Sequence, residues 1–280
     1  MNLALINIKQ LITVASQNRP VKIGKEMQNL GIIENAAVLI EGNKIQWIGK
    51  MEELSMSSIK EADVLDCMNK VVMPGFVDAH THLVFAGSRE NEFAMRSAGA
   101  TYQEIASRGG GILSTVQHVR GTAKKDLKKF ARKYLNSLLR SGTTTVEIKS
   151  GYGLDADNEI KMLEAITELN EEEVISIIPT FLGAHAVPIE FGSRKKEYVD
   201  LITSKMIPYI GKKHLAKFCD VFCEKSYFEP EDCRIILSAA KNAGMLPKLH
   251  ADEPTSCCAS ELAAEIKAVS PDHLENISDA

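Results

Sequence analysis

Apolar and polar residues alternate along the first quarter of the chain. The runs LALINIKQLITV and AAVLIEGNKIQWIGK switch between apolar and polar positions with a period close to two, and ADVLDCMNKVVMPG ends in a turn signal. This period is typical of half-buried strands, and the GNK segment inside the second run suits a hairpin turn. We therefore expect residues 1–68 to form a small β-sandwich region.

From residue 69 onwards, nearly continuous apolar runs alternate with helical patterns. The runs are VMPGFVDAH, TTTVEIKS, VISIIPTFLGA, AKFCDVFCE, MLPKLHA and IKAVSPDH. Buried strands that alternate with helices predict an α/β fold with a parallel sheet covered by helices. Six strand–helix units are two fewer than a closed (β/α)8 barrel requires. An open sheet remains an alternative, but we favour a barrel with about six of its eight units within residues 69–280.

Three helical patterns separate these strands, and their ends carry typical signals. In KKDLKKFARKYLNSLLRSG, the residues Leu127, Phe130, Tyr134 and Leu138 share one face, and Gly142 is the predicted C-cap. DNEIKMLEAITELN is the second helix. PEDCRIILSAAKNAG is the third, with Pro230 near its start and Gly244 at its end.

Composition excludes several classes of partner. Of 280 residues, 45% are hydrophobic and 25% are charged, which is the usual balance of a soluble globular protein, and the net charge is -4. No basic field for nucleic acid and no polybasic patch for membranes is evident, and no apolar run approaches the ~20 residues of a membrane span. The six cysteines form no CxxC pair, so we expect reduced thiols in a cytoplasmic protein.

Polar side chains gather at the carboxyl ends of the predicted strands, where a parallel barrel carries its chemistry. Five of the seven histidines lie there. They are His80, His82, His185, His250 and His273. The other two, His118 and His214, fall in helical or loop stretches and are expected at the surface.

His80 and His82 stand two residues apart at the end of one strand. Side chains at positions i and i+2 of a strand point to the same face, so both imidazoles can aim into the barrel mouth. Neutral imidazoles are good ligands for a divalent cation. Alone, the pair could be two ordinary polar residues; with three further strand-end histidines, it predicts a metal site.

Seven motifs resemble the imidazolonepropionase family of the amidohydrolase superfamily. They are PGFVDAHTH (74–82), SRENEF (88–93), GGGILSTV (109–116), SGTTTVEIKSGYGL (141–154), PTFLGAHAVP (179–188), LHADE (249–253) and SPDHL (270–274). The resemblance covers the chain almost end to end. It implies a distorted (β/α)8 barrel with a β-sandwich built from both ends of the chain.

The resemblance also implies one zinc or iron ion, held by His80, His82 and His250 together with an aspartate at the end of the eighth strand. This sequence offers no counterpart of that aspartate, so we expect it beyond Ala280, in agreement with a barrel that is incomplete here. By the same resemblance, Arg89, Tyr152 and His185 match substrate-contacting positions. The implied substrate is 4-imidazolone-5-propanoate, a cyclic amide with a propionate tail, and a homodimer is left open.

Amide hydrolysis near neutral pH needs an activated water and a proton for the leaving nitrogen. Glu253 lies three residues after His250 and is assigned to proton transfer or to contact with the substrate ring. His273, at the end of the next strand, is assigned to transition-state support. Arg89 offers a planar fork that suits a carboxylate, although a surface ion pair with a neighbouring glutamate is the alternative.

Other functions remain open at this point. A one-metal deaminase that acts on an aromatic ring would share the spacing between His250 and Glu253, but it would not need Arg89. A scaffold or an inactive fragment of the same fold is a second alternative. Lys149 could be carbamylated to bridge two metals, but the family binds one. The glycines Gly109, Gly110 and Gly111 are followed by neither GKS nor GKT, which excludes a P-loop.

Overall fold

The computed structural model describes residues 2–16, 19, 21–101, 104–105 and 110–278. Gly109 of the glycine run lies outside these residues. The chain forms two compact units, Met1–Gly75 and Phe76–Ala280. The functional division into residues 1–68 and 69–280 stays a prediction.

The first unit is a five-stranded sheet. Its strands are β1 (Asn2–Ile12), β2 (Ile32–Glu41), β3 (Lys44–Lys50), β4 (Asp63–Asp66) and β5 (Val71–Val72). β1 lies in the middle, antiparallel to β2 and parallel to β4 and β5, and β2 and β3 form the predicted hairpin. Inward-facing apolar side chains, such as those of Ile8 and Val38, form its own small core.

The second unit is a parallel sheet flanked by helices. Its strands are β6 (Phe76–Thr81), β7 (Thr143–Lys149), β8 (Ser176–Ala184), β9 (Phe218–Cys223), β10 (Leu246–Pro247), β11 (Leu249–Ala251) and β12 (Pro271–His273). The order is β12-β11-β9-β8-β7-β6, with the short β10 paired to β9. Every pairing in this sheet is parallel, as the strand–helix rhythm of the sequence predicted.

Helices connect these strands. They are α1 (Glu90–Ser97), α2 (Ile112–Gly121), α3 (Lys124–Arg140), α4 (Ala156–Glu172), α5 (Lys195–Leu201), α6 (Ile207–Lys213), α7 (Pro230–Asn242) and α8 (Ala259–Glu265). A π-helical turn, Ile202–Met206, joins α5 to α6. Two predicted helix ends are observed: Gly142 follows α3 with φ of 93°, and α7 starts at Pro230. In the described part of the chain, no helix is long and apolar enough to cross a bilayer.

The predicted face of α3 is only in part the buried one. Leu127 is fully buried, but Phe130 and Tyr134 are 42% and 41% exposed. The sheet-facing side is instead formed by Leu127, Ala131 and Leu135, one residue per turn at intervals of four. The two aromatic rings flank this stripe, and Tyr134 lies 5.5 Å from the ring of Phe85.

Candidate metal centre and substrate pocket

The five strand-end histidines meet at one place. His80 is the last but one residue of β6. Its ring centroid lies 5.4 Å from that of His82, 4.5 Å from that of His250 and 4.9 Å from that of His273. His185, just after β8, lies 5.0 Å from His82. The cluster forms because parallel strands deliver their carboxyl ends to the same edge of the sheet. His118 and His214 lie elsewhere and are exposed.

Three of these side chains fit a metal ion. The nitrogen atoms that His80, His82 and His250 offer lie within 4.8 Å of one another. The Nδ1 atom of His82 is buried and has no hydrogen-bond partner among the described residues. Burial, reinforced by the neighbouring imidazoles, lowers the pKa of His82 well below its usual value, so the ring is neutral. A buried, neutral imidazole with an unpaired nitrogen is the donor that zinc or iron binds.

Carboxylates stand behind two of the three rings. Asp272 Oδ2 lies 2.8 Å from His80 Nδ1 in a hydrogen bond. Asp220 Oδ2 lies 2.9 Å from His250 Nδ1, an ion-pair distance without hydrogen-bond alignment. Burial lowers the pKa of His250, although Asp220 opposes that shift.

A buried network of charges continues from these carboxylates into the barrel. Lys149 is fully buried, and its Nζ lies 2.7 Å from Asp220, 2.9 Å from Glu147 and 3.2 Å from Asp272. Lys248 contacts Glu147 at 2.5 Å and Asp272 at 3.2 Å. Burial alone would lower the pKa of Lys149, but Asp220 and Glu147 raise it above its usual value. Lys149 is therefore an ammonium ion, which disfavours carbamylation.

Tyr152 and His185 line the side of the cluster next to His82. The Tyr152 ring lies 5.5 Å from His82 and 5.3 Å from His185. Burial lowers the pKa of His185 to about 3, and its Nδ1 lies 3.0 Å from the carbonyl oxygen of Gly151. The neutral imidazole of His185 and the phenol ring of Tyr152 thus form one wall of the site.

The loop that carries Tyr152 is shaped by its glycines and by a buried acid. Gly151 has φ of 101°, and a Cβ there would lie 2.9 Å from the Leu182 carbonyl oxygen, so glycine is required. Glu159 is fully buried in α4 and accepts hydrogen bonds from the backbone N–H groups of Gly151, Gly153 and Leu154.

Arg89 lines a cavity of about 240 Å³ that also reaches His82, one of the three clustered imidazoles. The lining comprises His82, Phe85, Gly87, Ser88, Arg89, Thr115 and Tyr152. The Arg89 side chain is 43% exposed, and its Nε lies 4.0 Å from Glu92, the outer limit of an ion pair. The structure therefore places Arg89, Tyr152 and His82 around one space.

Glu253 and His273 face each other at the carboxyl ends of β11 and β12. His273 Nε2 lies 3.5 Å from Glu253 Oε2, and its ring lies 4.9 Å from that of His250. The carboxylate of Glu253 is 37% exposed. An acid and an imidazole thus stand side by side, and the imidazole lies next to two of the three proposed ligands.

Sequence reasoning missed Asp220, Lys248 and Glu159. Two of them offered a signal, because Asp220 and Lys248 are charges inside the apolar strand runs AKFCDVFCE and MLPKLHA. Lys248 also stands two residues before His250 and so points to the same interior. Glu159 gave no signal, because a glutamate in a helix is usually exposed.

Known proteins resemble the chain in sequence and in fold. No family model matches the chain. The imidazolonepropionase of Geobacillus sp. (strain WCH70) is 46% identical over 276 residues, which is 98% of this chain and 65% of that protein. The imidazolonepropionase of Clostridium tetani (strain Massachusetts / E88) is 44% identical over 279 residues, which is 99% of this chain and 66% of that protein. The chain thus spans about 65% of the length of the curated relatives it matches.

Solved structures share the fold at low sequence identity. The 5-methylcytosine deaminase from Klebsiella pneumoniae, liganded with 5-fluorocytosine, aligns with a TM-score of 0.60 at 16% identity, over 94% of this chain and 55% of that one. Atrazine chlorohydrolase from Arthrobacter aurescens TC1, complexed with zinc, aligns with a TM-score of 0.56 at 19% identity, over 94% and 55%.

The parallel, barrel-like sheet with histidines at its strand ends shares its fold with these hydrolytic enzymes. Within that class, the sequence relatives are more specific than the solved structures. The chain belongs to the imidazolonepropionase family.

Proposed function

We propose that the protein is a metal-dependent hydrolase that opens the cyclic amide of 4-imidazolone-5-propanoate to N-formimidoyl-L-glutamate, a step of histidine degradation. The observation that carries this proposal is the meeting of three metal-binding imidazoles with a cavity rimmed by Arg89. A location in the cytoplasm stays a prediction.

His80, His82 and His250 would hold one divalent ion, zinc or iron. When bound, such an ion activates water near neutral pH and polarises an amide carbonyl. The chain's contribution is to keep His82 and His250 neutral by burial and to fix the orientation of the His80 ring through Asp272.

The remaining residues bind the substrate and move protons. Arg89 would hold the propionate carboxylate by charge-assisted hydrogen bonds, with Tyr152 and His185 against the ring. Glu253 would carry a proton to the leaving nitrogen or contact the ring. His273, 3.5 Å from Glu253, would support the charge that develops in the transition state.

The experiment is a turnover assay with the purified, zinc-loaded full-length protein. We expect 4-imidazolone-5-propanoate to be consumed and N-formimidoyl-L-glutamate to appear, and we expect no ammonia release from cytosine or guanine. His82→Ala should lose most of its metal, measured by elemental analysis, and most of its turnover. Full turnover by a metal-free His82→Ala protein would contradict the proposal, and ring deamination in place of amide hydrolysis would favour the deaminase alternative.

A further inference from the structure

The buried charges behind the histidines have an arrangement that a plain hydrophobic barrel core would not require. Lys149 Nζ touches both Asp220 Oδ2 and Asp272 Oδ2, at 2.7 Å and 3.2 Å. These same two oxygens approach the Nδ1 atoms of His250 and His80. One ammonium group therefore links the carboxylates that stand behind two different rings, on strands β6 and β11.

The contacts of Asp272 determine which ring nitrogen of His80 donates a hydrogen bond. Asp272 Oδ2 also receives contacts from the ammonium groups of Lys149 and Lys248, and Asp272 Oδ1 accepts from the Ser270 hydroxyl. Such a carboxylate is ionised and can only accept. His80 Nδ1 must then be the donor, which leaves Nε2 as the nitrogen that would face a metal ion.

We propose that Lys149, Asp220 and Asp272 form a positioning unit for metal binding. Lys149 holds the two carboxylates, Asp272 orients the His80 ring by a hydrogen bond, and Asp220 holds the His250 ring by a contact of 2.9 Å. This inference rests on the proposed metal site. As positioning residues, the three members of this unit act through the two histidines.

A charge argument and the positioning argument predict opposite effects for Lys149. The buried network has two lysines and three carboxylates, Glu147, Asp220 and Asp272. Removal of the Lys149 ammonium would make it more negative, and by charge alone would strengthen the binding of a cation. If Lys149 instead holds Asp220 and Asp272 in place, its removal weakens binding because both rings lose their orientation.

The test measures the affinity of metal-free protein for Zn²⁺, in competition with a chromogenic chelator at one pH near neutrality. We expect D220N and D272N, which keep the shape of the side chain, to bind Zn²⁺ roughly ten- to a hundredfold more weakly than the unmodified protein. K149M should also bind more weakly. The matched control is E168Q, which also neutralises a carboxylate paired with two lysines but lies on helix α4; its affinity for Zn²⁺ should stay unchanged.

A second readout is the tautomer of His80, from ¹⁵N spectra of the metal-free protein with labelled histidine. We expect the neutral ring to carry its proton on Nδ1; a neutral ring with its proton on Nε2 would overturn the proposal. Affinities of D220N and D272N within twofold of the unmodified protein would also overturn it, as would tighter binding by K149M. The two asparagine variants decide the matter should K149M not fold.

The outcomes separate this inference from the proposed function. If the unmodified protein itself binds no Zn²⁺, the metal site is wrong and both proposals fall. If it binds Zn²⁺ and H82A does not, while D220N and D272N bind normally, the metal site stands and the positioning unit alone is wrong.

Discussion

Arg89 stands at a position that costs its helix some stability. It directly precedes α1, and a cation at a helix N-terminus opposes the helix macrodipole. Its contact with Glu92 is distant, at 4.0 Å, and the Glu92 carboxylate also accepts a hydrogen bond from the Gly111 N–H group. A guanidinium group with so little local compensation is suited to an anionic ligand.

The role of Arg89 can be measured by its removal. Charge-assisted hydrogen bonds contribute roughly 1.5–3 kcal/mol, so Arg89→Ala should lower kcat/KM for the propionate substrate about tenfold to a hundredfold. Arg89→Lys should restore only part, because a point charge does not reproduce the fork. Metal content should be unchanged.

The control is an imidazolone analogue without the carboxylate. On it, the unmodified protein and Arg89→Ala should be nearly equal. An equal loss on the analogue and on the propionate substrate would mean that Arg89 supports the fold or the chemistry and not the carboxylate.

At the scale of single residues, the sequence was a good guide to groups at strand ends and a poor one to groups inside the barrel. His80 and His250 could be predicted to meet because each follows an apolar run. Asp220 and Lys248 could not be assigned a role, because their contacts join strands that are distant in sequence. Only the curvature of the sheet brings such residues together.

The turn after β7 depends on one buried carboxylate. Glu159 in α4 satisfies the N–H groups of Gly151, Gly153 and Leu154, and this holds the segment that presents Tyr152. Burial raises the pKa of Glu159, because the ionised carboxylate loses its solvation by water at this position. The hydrogen bonds offset that cost.

Truncation of Glu159 should therefore destabilise the second unit markedly. Each buried N–H group left without a partner costs roughly 1–3 kcal/mol, so Glu159→Ala should lower the free energy of unfolding by at least about 3 kcal/mol in urea denaturation. Glu159→Gln keeps one acceptor oxygen and should lose less. A loss below about 1 kcal/mol for the alanine variant would show that water replaces the carboxylate.

Helices α3 and α4 are joined by a row of ion pairs. Lys124 and Lys128 both approach Glu168, each at 2.6 Å, and Lys128 also approaches Glu172 at 2.6 Å. Hydrogen bonds from Lys124 and Lys128 lower the pKa of Glu168. Its stabilising charge is thus present above its unfolded-state pKa and is lost as the pH falls through the lower folded-state pKa.

This row predicts a defined acid response. The melting temperature of the unmodified protein should fall between about pH 5 and pH 3, and that of Glu168→Gln should fall less, because the variant has no such carboxylate to protonate. The difference should shrink at high salt, since the pairs are partly exposed. An equal fall in the melting temperatures of the two proteins across this pH range would contradict a stabilising role for these ion pairs.

Elements were predictable where local chemistry marks their ends. Pro230 and Gly142 identified helix ends, because one lacks an N–H group and the other tolerates positive φ. The orientation of α3 was not predictable from its apolar residues alone. Phe130 and Tyr134 flank the buried stripe, and the sequence does not say which part of an apolar face meets the sheet.

At the scale of the whole molecule, metal binding should be visible as stability. A ligand that binds the folded chain at a hundred times its Kd stabilises it by about 2.7 kcal/mol. Zn²⁺ at that excess should raise the melting temperature of the unmodified protein by several degrees in calorimetry. The same Zn²⁺ should leave His82→Ala unshifted; an equal shift in both would indicate binding elsewhere.

The strand order shows that the proposed metal site requires a strongly curved sheet. β6 lies at one edge of the sheet, and β11 is reached from it by four strand-to-strand steps. In a flat sheet these steps would separate the two strands by about 19 Å, yet the ligand nitrogens of His80, His82 and His250 lie within 4.8 Å of one another. The site can exist only because the sheet rolls up. An ion shared by residues 82 and 250 would then act as a cross-link between strands far apart in the chain, so that unrolling the barrel and releasing the ion become a single event.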